Sequence, residues 1–63
     1  MTQYIVKCKD GSHHWVSADA YGNKNNFFGK PIIVFRRIVD NKEYVVFKVL
    51  ENNVDYIKDL GTI

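Results

Sequence analysis

The sequence predicts a single small domain that is mainly β, built as an antiparallel meander of about four or five strands. Three observations predict this class. The chain has 63 residues, which is enough for one domain only. Its hydrophobic content of 46% is too high for a disordered chain. Segments rich in β-branched and aromatic residues alternate with turn signals along the whole chain.

The first predicted element is a β-hairpin. Residues 2–8 are rich in β-forming side chains, and residues 13–18 form the predicted return strand. Asp10-Gly11 lies between them and is a strong signal for a two-residue type I′ turn, in which both positions need φ > 0. We therefore expect a tight hairpin at the start of the domain.

A two-residue turn sets the register of this hairpin by counting, and it pairs Val6 with Trp15. Side chains alternate across a strand, so the more apolar face is the expected core face. That face holds Tyr4, Val6, Cys8, His13 and Trp15. The wetter face holds Ile5, Lys7, Lys9, His14 and Val16. The predicted register therefore turns the tryptophan toward the core.

Residues 19–31 are predicted to form a long loop. They include six residues typical of turns: Gly22, Asn23, Asn25, Asn26, Gly29 and Pro31. The segment also places Phe27 and Phe28 between Lys24 and Lys30. Long loops are uncommon in compact domains and are often functional, so this loop is a candidate site.

A second hairpin follows, with predicted strands over residues 31–40 and 43–52. A two-residue loop at positions 41 and 42 pairs Arg36 with Phe47. A loop one residue longer pairs Phe35 with Phe47. The two registers bury opposite faces, and turn chemistry alone does not choose between them.

The C-terminal segment allows two interpretations. Asn53 can cap a short helical turn over residues 54–60, with Gly61 just beyond its end. Alternatively, residues 54–58 form a fifth short strand, which is the interpretation we favour. The resulting size and strand count fit a curled sheet or an SH3-like, partly open barrel. This comparison concerns architecture alone, because a fold does not specify a function.

Composition limits the setting of the protein. A single cysteine, Cys8, excludes an intrachain disulfide and indicates a reducing, cytoplasmic environment. The N-terminus lacks the pattern of a signal peptide, and no apolar run is long enough to cross a membrane. The net charge of +2 is too small to indicate nucleic-acid binding by itself. Abundant Asn, Lys and Ile, which have AT-rich codons, hint at a low-GC bacterial or phage origin.

The side chains best suited to chemistry cluster in the first hairpin: Cys8, Asp10, His13 and His14. Zinc needs four converging ligands, or three and a water, whereas only Cys8 and His13 share a face in the predicted register. A nucleophilic pair of the same two residues would lack an orienting group and a cleft. We therefore expect no metal, no cofactor and no catalysis. The lysines beside His14 are expected to form a solvated basic stripe.

The predicted partner-binding residues lie in the loop: Lys24, Asn26, Phe27, Phe28 and Lys30. Exposed aromatic rings anchor protein partners, and together with lysines they also stack bases and hold phosphates. In the competing interpretation one phenylalanine closes the core, because a small domain needs every large apolar side chain for burial.

Three functional hypotheses follow. The first is a non-catalytic protein-interaction module, such as a phage- or plasmid-type regulator or inhibitor, that acts through the aromatic loop and exposed strand edges. The second is a nucleic-acid-binding β domain that uses the lysines and phenylalanines of residues 22–30. The third is a self-assembling structural subunit, since unprotected edges favour homo-oligomers.

Overall fold

A computed structural model describes residues 1–25 and 28–62. The described chain is mainly β, which confirms the predicted class, and it contains six strands. The strands are β1 (Thr2–Cys8), β2 (His13–Ala18), β3 (Ala20–Asn25), β4 (Pro31–Val39), β5 (Lys42–Leu50) and β6 (Val54–Thr62). A 3₁₀ turn, Glu51–Asn53, precedes β6.

The strands form two antiparallel sheets of three strands each. Sheet 1 has the order β2-β1-β6 and sheet 2 has the order β3-β4-β5. The described strands do not form a closed barrel. Only Asp19 separates β2 from β3, so the chain passes between the sheets at this corner. The N–H of Asp19 donates to the carbonyl of Arg36 at 2.9 Å, which ties the corner to β4.

The core lies between the two sheets. Its buried members are Tyr4, Val6, Cys8, Val16, Ala18, Ile33 and Phe35. Phe35 on the central strand β4 is 0% exposed. Its ring centroid lies 5.5 Å from that of Tyr4 in sheet 1 and 5.9 Å from that of Phe47 on β5. Phe35 therefore joins both sheets.

The turn of the first hairpin is one residue longer than predicted. The N–H of Cys8 donates to the carbonyl of Ser12 at 2.9 Å, and the N–H of Gly11 donates to the carbonyl of Cys8 at 3.0 Å. Gly11 ends the loop in the left-handed region with a φ of 95°, whereas Asp10 does not have a positive φ. The geometry is that of a three-residue hairpin loop, and the predicted type I′ turn is wrong.

The longer turn exchanges the two faces of β2, because a shift of one residue turns every side chain over. Trp15 pairs with Ile5 rather than Val6, and it is 63% exposed. His14 and Val16 take the core face instead. The predicted inward orientation of Trp15 and His13 is therefore wrong, while the core positions of β1 are as expected.

The predicted loop over residues 19–31 is wrong in its first half, because Ala20–Asn25 forms β3. This strand pairs with β4 along its whole length. Tyr21 lies opposite Phe35, and their rings stack with centroids 5.1 Å apart. Gly and Asn disfavour strands, but a paired backbone and one stacked ring outweigh that local preference.

The second hairpin has a type I′ turn at Asp40-Asn41, with φ values of 51° and 64°. A β-bulge lies between the positions of Phe35 and Arg36, and beyond it Phe35 faces Phe47. The Phe35–Phe47 register is therefore confirmed. This register needs one more residue on β5 than a regular ladder from the two-residue turn would give. The bulge supplies that residue, and the loop is not lengthened.

The C-terminal segment is a strand, as favoured, and the alternative helix over residues 54–60 is wrong. β6 is nine residues long and pairs with β1. The helical turn lies earlier, at Glu51–Asn53. No helix within residues 1–25 and 28–62 has the length and apolar character that a membrane crossing requires.

Candidate interaction surfaces

The outer part of the second hairpin, residues 37–46, is exposed at every position. We call it the distal hairpin. Five of its side chains are large and apolar, and each is between 43% and 52% exposed: Ile38, Val39, Tyr44, Val45 and Val46. They lie on two paired strands whose side chains alternate between faces, so Ile38 and Val45 share one face of the hairpin and Val39 and Tyr44 share the other.

The distal hairpin is uncovered because its neighbouring strand is shorter. β3 begins at Ala20, opposite Arg36, so the part of β4 beyond Arg36 lacks a described strand on that side. The side chain of Asp19 takes the place of a strand partner there, because its Oδ2 accepts a hydrogen bond from the N–H of Ile38 at 2.6 Å. The backbone is thereby stabilised while the apolar side chains stay exposed.

Strand β5 is an edge of sheet 2. It pairs with β4 on one side and with no described strand on the other. It is nine residues long, so its outward N–H and C=O groups offer a template for pairing. Lys42, Glu43 and Lys48 interrupt its apolar residues, in the way that charges protect natural sheet edges.

The predicted loop site is described in part. Lys24 is exposed at the end of β3, and Lys30 is exposed just before β4. Phe28 is 83% exposed, in keeping with the expectation that one phenylalanine of the pair faces solvent. Asn26 and Phe27 lie outside the described residues. The partner-binding role of the loop stays a prediction.

The first hairpin contains a short hydrogen-bonded chain. The hydroxyl of Ser12 donates to Oδ1 of Asp10 at 2.6 Å, and the N–H of Ser12 donates to the same oxygen at 2.9 Å. These bonds lower the pKa of the Asp10 carboxyl below its ordinary range. Nε2 of His14 lies 3.2 Å from the hydroxyl oxygen of Ser12.

The direction of the hydrogen bonds among Asp10, Ser12 and His14 decides whether Ser12 could act as a nucleophile. The single hydroxyl proton of Ser12 is already donated to Asp10, so the His14 contact needs a proton on Nε2. An activated serine requires the reverse polarity, with the imidazole accepting the hydroxyl proton. The ring of His14 also packs on Phe47, with centroids 5.1 Å apart. The arrangement therefore stabilises the turn and closes one end of the core.

The four candidate ligands of the first hairpin, Cys8, Asp10, His13 and His14, are not gathered into a metal-binding cluster in the structure. His13 faces outward on β2, whereas Cys8 is buried in the core. Across residues 1–25 and 28–62, no three His, Cys, Asp or Glu side chains are placed to hold a metal ion.

Sequence reasoning missed two exposed groups: the distal hairpin and the outward face that carries Trp15. Exposure of the distal hairpin depends on where β3 begins, and β3 was not predicted. A one-residue error in turn length hid the second. Comparison with protein-family models, with curated proteins and with solved structures found no match to this chain.

Proposed function

We propose that this chain is a non-catalytic protein-interaction module that acts as a small regulator or inhibitor by docking a protein on the distal hairpin. The single observation that carries the proposal is the set of five half-exposed apolar side chains on residues 37–46. Burying the exposed half of one such side chain is worth about 1 kcal/mol. The set offers on the order of 5 kcal/mol before the costs of association.

The free side of β5 supports a specific docking mode. A partner that presents an extended segment can pair with the nine-residue edge and form backbone hydrogen bonds. Its apolar side chains would cover Tyr44 and Val45, which are 51% and 52% exposed. The charges of Lys42 and Glu43 would select the register, because like charges placed opposite each other are unfavourable.

Self-assembly is a second candidate, because the same edge can pair with a second copy of this chain. Sedimentation of the wild-type protein over a range of concentrations separates the two candidates. A monomer at every concentration favours a different protein as partner. A concentration-dependent dimer that Tyr44→Ser abolishes favours the self-assembling subunit.

The test of the main proposal compares two tyrosines of similar exposure on different sheets. Tyr44 is 51% exposed on the distal hairpin, and Tyr56 is 47% exposed on β6. Wild-type protein is immobilised and incubated with extract of the host cell, and the retained protein is then purified for affinity measurements. We expect Tyr44→Ser to weaken binding about tenfold or more, and Tyr56→Ser to leave it unchanged.

Equal affinity of wild-type protein and Tyr44→Ser would contradict the proposal. A loss confined to Phe28→Ala would instead place the contact in the loop that contains Lys24 and Lys30.

A further inference from the structure

The outward face of sheet 1 combines aromatic rings with positive charge. We call it the aromatic face, and it comprises Ile5, Lys7, His13, Trp15, Tyr56 and Lys58. Its central strand β1 contributes Ile5 between Trp15 and Lys58, and Lys7 between His13 and Tyr56. The buried residues of β1 alternate with these positions and point into the core.

The rings of the aromatic face are open to solvent. Trp15 is 63% exposed and Tyr56 is 47% exposed. The imidazole of His13 lies beside the indole, with ring centroids 6.4 Å apart. Trp15 and Tyr56 lie on the two outer strands of sheet 1, so two strand spacings, or about 10 Å, separate them across the sheet.

The register places no carboxylate among these six positions, and the two charged side chains are Lys7 and Lys58. Nearby carboxylates make local contacts. Oδ1 of Asp59 accepts the N–H of Gly61 at 2.7 Å, and Oδ1 of Asp10 accepts two bonds from Ser12. The six positions themselves therefore carry positive charge from Lys7 and Lys58, and the carboxylates of Asp55 and Asp59 lie next to Tyr56 and Lys58 along β6.

We propose that the aromatic face binds single-stranded nucleic acid. Exposed aromatic rings stack on unpaired bases of any sequence, and interleaved lysines hold the phosphates. The bases of a duplex are already stacked on one another, so the same rings have no comparable contact with it. The site lies on sheet 1 and the distal hairpin on sheet 2, so this proposal is independent of protein docking.

The test measures the fluorescence anisotropy of labelled twelve-nucleotide oligothymidylate and oligouridylate strands in the presence of the purified 63-residue chain. If two lysines contact phosphates, affinity should fall about sevenfold between 50 and 200 mM salt, from a slope of about −0.7 per phosphate. Trp15→Ala and Tyr56→Ala should each weaken binding at least about fivefold. Trp15→Phe, which keeps a stacking ring, should remain within about threefold of wild type.

Two controls locate the site. Tyr44→Ser on the distal hairpin should leave oligonucleotide affinity unchanged, and so should Phe28→Ala in the loop. Circular dichroism of every variant verifies that the fold is retained. Absence of binding by the wild type at 50 mM salt would overturn the proposal. Equal affinity for duplex DNA, or a loss seen with Phe28→Ala and not with Trp15→Ala, would also overturn it.

Discussion

The N–H of Cys8 donates to the carbonyl of Ser12 at 2.9 Å, and this bond closes a three-residue turn. The bond decides which face of β2 enters the core. The turn requires a left-handed residue at its end, which Gly11 supplies with a φ of 95°.

Gly11→Ala should therefore destabilise the protein by about 1–2 kcal/mol, because a Cβ is strained in this conformation. Thermal or urea unfolding measures the change. Gly22→Ala is the matched control: Gly22 is not in the left-handed region, and its added Cβ would lie 3.7 Å from Nη2 of Arg36, an ordinary contact. Equal stability of Gly11→Ala and wild type would be incompatible with the turn described.

Trp15 is the single tryptophan of the chain, so its fluorescence reports directly on the register of the first hairpin. At 63% exposure we expect emission typical of a hydrated indole and efficient quenching by acrylamide. Trp15→Ala should change the free energy of unfolding by less than about 1 kcal/mol. Blue-shifted emission that resists quenching would mean that the indole is buried and that the register is wrong.

Phe35 should be the most costly aromatic residue to truncate. It is 0% exposed, and its ring contacts aromatic residues of both sheets. Phe35→Ala should cost about 3–5 kcal/mol, which is enough to abolish a cooperative unfolding transition in a domain of this size. Phe28, at 83% exposure, is the control, and Phe28→Ala should stay within about 0.5 kcal/mol. A larger loss of stability in Phe28→Ala than in Phe35→Ala would show that the side chain of Phe28 packs in the core.

Asp10 should titrate below its ordinary pKa of 3.8, chiefly because the hydroxyl and then the N–H of Ser12 donate to its carboxylate. A lowered pKa means that folding favours the charged form. The stabilisation is therefore present above pH 3.8 and is lost as the pH falls through the lower folded value. An NMR titration of the carboxyl carbon measures this pKa, and Ser12→Ala should raise it. An unchanged pKa in Ser12→Ala would exclude the hydroxyl bond as a cause, because the variant keeps the backbone N–H.

Local sequence signals predicted most of the strands but not all of their pairings. The alternation of β-forming segments and turns was sufficient for β1, β2, β4 and β5, because those segments have strong local preferences. β3 was missed because its Gly and Asn residues favour turns. Its pairing with β4 and the stacking of Tyr21 on Phe35 are long-range contacts that no local pattern contains.

Turn chemistry explains the error in the candidate surfaces. Asp-Gly ends both two-residue and three-residue hairpin loops, and the two lengths turn opposite faces of β2 toward the core. Because the loop has three residues, Trp15 lies on the aromatic face and not in the core, where a two-residue loop would have placed it. The distal hairpin was hidden for a different reason: exposure depends on how far β3 extends, and β3 itself was not predicted.

Site-specific photo-crosslinking in the host cell asks directly whether the distal hairpin is the surface that docks a protein. A photoreactive phenylalanine analogue replaces Tyr44 in one strain and Tyr56 in another, at positions that are 51% and 47% exposed. We expect one discrete adduct with a different protein from position 44 and none with that protein from position 56. No adduct from position 44, or the same adduct from both positions, would contradict the assignment of the distal hairpin as the docking surface.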